Sequence, residues 1–220
     1  MSVDNSQSMK DPGSAKLALS VAFAGLISGI AIISIYEATL PTITANKAEE
    51  LRQAVFRVLP GVKKMQLLEY RDNKLVANPE PDKDAEIVYG GYDGQNQLIG
   101  YAIPNAGPGF QDTISVLYGY KPTERKVVGM WILDSRETPG LGDKIYKDAE
   151  FVANFDDLSA DPEIKTVKKG TKSAPNEIDA ITGATISAKA VARIINEAHA
   201  VWKERFPPPG NEPKPGGNEG

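Results

Sequence analysis

Cysteine is absent from all 220 residues, which removes disulfides, thiolate-bound zinc and iron–sulfur clusters together. Histidine occurs once, at His199 between Ala198 and Ala200. A lone histidine in that setting is expected to be a surface or packing residue, and no metal site is expected. Neither a Ser–His–Asp nor a Cys–His constellation is recognisable, so no catalytic residue is assigned. An excess of basic charge is also missing. Lys and Arg number 25 against 29 Asp and Glu, a formal net charge of -4, and no basic stripe interleaved with aromatics appears. A nucleic-acid partner is thereby excluded. Any redox chemistry would have to be supplied by a bound cofactor.

What is present begins with an uncharged run from Leu17 to Tyr36. At about 1.5 Å per helical residue it spans about 30 Å, the hydrocarbon thickness of a bilayer. It is long for the core of a cleaved signal peptide, and Lys10 and Lys16 make a weak basic flank. The reading is a retained transmembrane anchor in contact with lipid. Gly25, Ser28 and Gly29 offer a small-residue face for packing against other membrane helices. Acidic residues count for little in the positive-inside rule, so residues 1–16 are expected in the cytoplasm and the rest outside it.

Past the anchor the pattern is α+β. Residues 45–58 read as a helix with Ala48, Leu51, Val55 and Val58 on one face. Strand-like runs follow at 64–70, 85–92, 98–104, 113–120 and 127–133, separated by Gly, Pro, Asn and Asp clusters. Residues 143–155 suggest a second helix and 164–167 a short strand. A final helix runs to about Arg205, with Val191, Ile194, Ile195, Ala198, Val201 and Trp202 at helical spacing. The expected layout is an anchor at 17–36, a domain of antiparallel strands with flanking helices at 37–206, and a disordered Pro/Gly-rich tail at 207–220.

Two segments carry the functional signal. Asp179-Ala180-Ile181-Thr182-Gly183-Ala184-Thr185 runs directly into the last helix. Thr182, Thr185 and Ser187 therefore fall at or just before a helix N-terminus, where free N–H groups and the macrodipole favour an anion such as a phosphate. A Ser/Thr helix cap is the plain alternative. Arg136-Glu137-Thr138-Pro139-Gly140-Leu141-Gly142-Asp143 follows the strand at 127–133. Pro139 with Gly140 and Gly142 makes a tight loop that pushes Leu141 outward. An ordinary turn with an incidental exposed leucine is the plain alternative here. Lys168 and Lys169 lie either near a phosphate or on a solvated turn before Gly170.

Together the two segments resemble the FMN-binding domain found in the RnfG subunit of Rnf electron-transport complexes and in the related NqrC subunit of sodium-pumping quinone reductases. The resemblance extends to Asn46-Lys47 opening a helix that ends in Val58-Leu59-Pro60. It also covers Gly107-Pro108-Gly109-Phe110 leading to Thr113–Leu117. Thr182 stands where serine is commoner, and Ser135-Arg136 stand where many relatives have a histidine nearby.

The resemblance implies that Thr185 carries FMN covalently through a phosphoester. Thr182, Gly183, Ala184 and Ser187 would lie around the phosphate, and Glu137, Thr138, Gly140, Leu141 and Gly142 against the isoalloxazine, with Leu141 on a ring face. Asp179 would mark the recognition site of a flavin transferase that transfers FMN from FAD; a simple turn carboxylate is the alternative. The implied function is an electron-carrying subunit of an Rnf-type ferredoxin:NAD oxidoreductase coupled to Na+ or H+ translocation, with other Rnf subunits as partners. A quinone-reductase counterpart like NqrC and a redox-silent anchored ligand-binding or scaffold domain are the alternatives.

Overall fold

The computed structural model describes residues 13–215 and divides into two units, residues up to Glu49 and residues from Glu50. Most of residues 1–16 and the last five residues of the tail lie outside the described part. Helix α1 is Ser14–Val58. Its section before Glu50 is long and apolar enough to cross a membrane, and its large side chains are exposed. The sequence reading separated helices at 17–36 and 45–58, whereas the structure has one helix with Pro41 inside it. Proline removes one backbone donor and usually ends a helix in water. Here Thr39 donates its hydroxyl to the Ile35 carbonyl at 2.9 Å and Thr44 to Leu40 at 2.9 Å. These bonds serve carbonyls of the neighbouring turns rather than that of Glu37, from which Pro41 withholds a donor, and the helix continues on either side.

The second unit is built on a seven-stranded antiparallel sheet. Its strands are β1 (Lys64–Arg71), β2 (Lys74–Ala77), β3 (Ile87–Tyr92), β4 (Leu98–Pro108), β5 (Thr113–Lys121), β6 (Lys126–Ser135) and β7 (Leu158–Ser159). The spatial order is β2-β1-β3-β4-β5-β6-β7. Beyond β6 come α2 (Lys144–Lys147) and α3 (Ala149–Ala153). After β7 come β8 (Lys165–Val167), β9 (Glu177–Asp179) and α4 (Thr185–Trp202). β8 and β9 form a separate parallel pair. The two faces of the sheet follow from the two-residue period of a strand. Val116, Tyr118 and Tyr120 of β5 face the larger core with Val191, Ile194, Ile195 and Trp202 of α4. Leu117, between them, joins Val55, Val58 and Leu59 at the end of α1 on the opposite face.

Several expectations shift. The helix expected over 143–155 is split, because the Asp148 carboxylate accepts from the Glu150 and Phe151 N–H groups and starts α3 afresh. β4 runs on to Pro108 because it pairs with β5 as far as Thr113. β2, β7 and β9 have no counterpart in the reading. β2 follows a tight turn with Asp72 and Asn73 at φ 51 and 60, the left-handed pair that hairpins favour. Val201 lies off the buried face of α4 and is 44% exposed. His199 is a packing residue, buried with its ring 4.7 Å from that of Tyr120. The tail has no regular structure through Pro215, yet it stays attached to the domain. The Tyr92 hydroxyl donates to the Pro213 carbonyl at 2.7 Å.

The close approach of α1 to the sheet is made by two glycines. A Cβ at Gly119 would fall on the Val58 carbonyl, and one at Gly129 would lie 2.7 Å from Val58 Cα. Backbone cannot yield there as a flexible side chain can. Gly119→Ala should destabilise the chain by at least about 2 kcal/mol through overpacking, while Gly94→Ala, whose Cβ meets nothing within 4 Å, should change it by less than about 0.5 kcal/mol. Thermal unfolding of the detergent-solubilised chain measures both; equal melting temperatures would contradict the packing described.

Candidate functional site

The loop after β6 and the entry to α4 meet. Glu137, two residues past the end of β6, turns its carboxylate into the protein and is 5% exposed. Its Oε1 accepts from the N–H groups of Phe110 at 2.9 Å, Gln111 at 2.8 Å and Asp112 at 3.4 Å. Its Oε2 accepts from the Ser187 hydroxyl on the first turn of α4. One carboxylate therefore joins the β4–β5 loop, the β6–α2 loop and α4. Burial pushes this carboxyl up, but the Ser187 hydroxyl and the three backbone donors together outweigh it and hold the group below its ordinary value. Glycines clear the space. A Cβ at Gly109 would meet Glu137 Oε1 at 2.5 Å, and one at Gly142 would meet Oε2 at 2.6 Å.

Glu137 and Ser187, both read from the sequence as cofactor contacts, thus face each other in the interior. Gly142 is buried beside them. Thr138 is half-buried, and its carbonyl accepts from the Leu141 N–H at 3.2 Å and the Asp143 N–H at 3.4 Å. These bonds close a tight turn through Gly140, whose φ of +79 suits glycine. Leu141 at its tip is 50% exposed, as the loop reading expected. The turn is followed by the Asp143–Lys147 ion pair at 2.7 Å, which holds the Asp143 carboxyl below its ordinary range.

On the other side, Gly183 adopts φ +84, and a Cβ there would lie 3.8 Å from Leu141 Cδ2. The two sequence motifs, some forty residues apart, approach each other at this point. Ala184 is the buried N-cap of α4, and no side chain caps the helix. Thr185 is the first residue within the helix rather than its cap. Its exposed hydroxyl donates back to the Ile181 carbonyl at 3.2 Å, so it does not serve the free N–H groups of the first turn. Thr182 is also exposed. It lines a shallow open pocket of about 300 Å³ with Lys144, Lys147, Asp148, Lys169 and Ile181. Lys169 reaches this pocket while paired to Glu150 at 2.7 Å. Lys168 is not among its lining residues.

Asp179 ends β9, half-buried. Its Oδ1 accepts from the Gly170 N–H at 2.8 Å, and its own N–H donates to Asn154 Oδ1 at 3.1 Å. It braces the Lys168–Thr171 turn. Phe110, at the end of the resembling segment 107–110, and Ile186, an apolar residue off the apolar face of α4, stand 63% and 57% exposed. Among the described residues no group of three or more His, Cys, Asp or Glu could hold a metal ion.

A family model described as the FMN-binding domain matches residues 109–200, a span that holds both motifs and the Glu137 junction. The G subunit of the Na(+)-translocating ferredoxin:NAD(+) oxidoreductase complex of Acetobacterium woodii is 33% identical over 174 residues, covering 73% of this chain and 80% of that protein. The G subunit of the proton-translocating ferredoxin:NAD(+) oxidoreductase complex of Clostridium ljungdahlii is 34% identical over 172 residues, covering 78% and 82%. Among solved structures, Shewanella oneidensis NqrC superposes with a TM-score of 0.59 at 20% identity, covering 73% of this chain and 98% of that one. The C subunit of the Na(+)-translocating NADH-quinone reductase from Parabacteroides distasonis gives 0.60 at 18% identity, covering 74% and 94%.

The depressed carboxyl of Glu137 sets a pH dependence. A group titrating lower when folded contributes stability that is full above its unfolded value, about 4.3, and is lost as pH falls through the folded value. Glu137→Ala strands buried donors and should cost roughly 1–3 kcal/mol at pH 7. That gap should narrow as pH drops below about 4. Thermal unfolding of both proteins from pH 7 to pH 3 checks this, and a gap that does not vary with pH would exclude an ionised Glu137.

Proposed function

The chain belongs to the family of G subunits of Rnf-type ion-translocating oxidoreductase complexes, and from that premise we propose that it carries electrons on an FMN esterified to Thr185. It is a membrane-anchored, single-pass, electron-transfer subunit with an FMN-binding domain, working beside the other subunits of its complex. The quinone-reductase C subunits share the fold at 18–20% identity, while the relatives matched along most of the chain are G subunits.

One observation carries the covalent reading. Thr185 is an exposed residue bearing a hydroxyl at the start of an 18-residue helix that no side chain caps, two positions after Gly183, where a Cβ would come within 3.8 Å of the exposed Leu141. The residues present fit FMN. The first turn of α4 offers unpaired backbone donors and the positive end of a dipole to a phosphodiester, worth about 0.3–1 kcal/mol. Leu141, Thr182, Gly183 and Ala184 surround that point, and Gly140 and Thr138 shape the loop that carries Leu141. Glu137, Ser187 and Gly142 hold the two motifs in register from within. When bound, the flavin supplies one- and two-electron transfer, which no side chain of this protein could provide.

Attachment requires a partner enzyme. No strong base lies beside Thr185, whose hydroxyl donates to a backbone carbonyl. In the proposal Thr185 Oγ1 bonds to the FMN phosphorus of FAD, the pyrophosphate link breaks, AMP leaves, and the hydroxyl proton passes to a base on a flavin transferase. Asp179 supports the segment that this enzyme would read. With residues 1–16 in the cytoplasm, the FMN domain lies on the outer side of the membrane, and the complex couples electron flow to movement of Na+ or H+.

Co-expression with a flavin transferase tests the proposal. Intact mass should rise by roughly 438 Da, FMN less one water. Thr185→Ala should abolish the increment and the yellow colour, and Thr182→Ala should keep at least part of both. Full flavin on Thr185→Ala would place the attachment elsewhere.

A further inference from the structure

Among the described residues β8 pairs with β9 alone, so its other edge carries no strand. In such a parallel pair, alternate residues bond to the neighbour. The Lys165 N–H donates to the Asn176 carbonyl at 2.9 Å, and the Val167 carbonyl accepts from the Ala180 N–H at 2.8 Å, both on the β9 side. Thr166, between them, therefore directs its N–H and C=O the other way, as does Ile164. At Ile164 both groups are taken by one side chain. The N–H donates to Asn196 Oδ1 at 2.9 Å, and the carbonyl accepts from Asn196 Nδ2 at 2.8 Å. An α4 amide stands there in place of a neighbouring strand. Two residues on, the Thr166 N–H and C=O have no partner among the described residues.

These two groups lie along a groove of about 690 Å³ between β8 and α4. Ala192, Asn196 and Ala200 line it from α4, every fourth residue and so in one row. Their small side chains keep the helix from filling the space beside Thr166. Lys189, Arg193 and Glu197 form the outer row by the same spacing. Arg193 and Glu197 pair with each other at 3.0 Å, and Lys165 stands across from Glu177 in the strand pair. Lys189 is exposed and takes no ion pair among the described residues. Because α4 begins shortly after β9, which is parallel to β8, it runs back along β8. Seven helix residues from Asn196 to Lys189 cover about 10.5 Å, and three strand residues from Ile164 to Val167 about 10 Å. Lys189 thus stands level with Val167, at the open end of the edge.

We propose that this edge takes an extended segment of another subunit of the complex as a third strand, with an acidic side chain of that segment against Lys189. The proposal draws on membership of a multi-subunit complex and is independent of any attachment at Thr185. Bare rows of N–H and C=O recruit other chains, and proteins blunt them. Here the blunting, by Asn196, stops at Ile164. In strand addition the main-chain bonds supply affinity and the flanking pockets supply specificity. The main-chain bonds are those of Thr166, the apolar lining is Val167 and Ala192, and the charge is Lys189. An acid at the other end would meet Glu163 and Glu197, so the charge gradient fixes the register of the added strand. A second copy presenting its own β8 would bring its own α4 into the groove, where only a bare segment fits.

The test compares amide hydrogen exchange at Thr166 in the intact purified complex and in the isolated full-length chain, in one detergent. Exchange at Thr166 should be slower in the complex by about ten-fold or more. Lys189→Glu should bring it back to within about two-fold of the isolated chain, and Lys83→Glu, an exposed lysine elsewhere, should not. Thr166→Pro deletes the outward donor and spares the bonds to β9. It should cut the share of chain retained in the complex about five-fold, with the melting temperature of the isolated chain unchanged. A photoreactive side chain at Thr166 should crosslink to a different subunit, in a stretch holding Asp or Glu. Equal exchange in complex and isolated chain overturns the proposal. Slowed exchange with the crosslink formed to a second copy, or to residues 216–220 of the same chain, overturns it equally. A crosslink to a stretch without acid, or slow exchange that Lys189→Glu leaves intact, does the same. Should Thr166→Pro unfold the chain, exchange in Lys189→Glu and the crosslink decide.

Discussion

The Glu137 carboxylate accepts hydrogen bonds from two directions at once, backbone N–H groups of the β4–β5 loop on one oxygen and the Ser187 hydroxyl on the other. A buried charge without such partners would be strongly destabilising, and one with four donors is a fixed point. Its position decides where the loops on either side can lie. Gly109 and Gly142 follow from it, because any side chain at either place would enter the space the carboxylate occupies. Leu141 then lies near Gly183, and Thr185, two residues on, is at the surface. The arrangement around the exposed Thr185 is set by a buried group.

A second constraint works on the opposite face of the sheet. Gly119 and Gly129 let the Val58 backbone close onto β5 and β6, so the last turns of α1 supply a small core of their own. The larger core, on the α4 side, is where the site is built. This division lets α4 be anchored along its length by Val191, Ile194, Ile195 and Trp202 while its first turn remains open. A rigid helix with a free N-terminus is suited to hold a phosphodiester in a defined direction, since the donors cannot turn away to satisfy one another.

The strands, the apolar face of α4 and the exposed tip at Leu141 were legible because each rests on local periodicity or turn chemistry. Val191, Ile194 and Trp202 repeat at helical spacing, and glycines bracket Leu141. Pro41 and Asp148 were harder, for opposite reasons. Proline usually ends a helix, yet α1 runs on through Pro41. Asp148 sits amid helix formers and yet restarts the helix by capping it. Glu137 was misplaced because its sequence neighbours are loop residues, and loop carboxylates are usually solvated. What makes it different is a set of donors 25 to 50 positions away, which no local pattern encodes.

The openness of the site and the chemistry of its proposed tether fit each other. The pocket beside Thr182 is about 300 Å³ and open to solvent, whereas sites that retain small ligands by contact alone usually enclose most of the ligand's surface. An open site implies modest noncovalent affinity, and a released flavin would diffuse away. A phosphoester at Thr185 makes every rebinding event intramolecular, so the site need not close over the ring. A ring left partly uncovered can in turn approach a redox group on a neighbouring protein closely, which a deep pocket would prevent. The same reasoning explains why stability is concentrated inside, at Glu137, Ser187 and the glycines around them. Under the proposed ester the protein's remaining task would be to present the cofactor in one orientation, and that demands a stiff frame more than a tight grip.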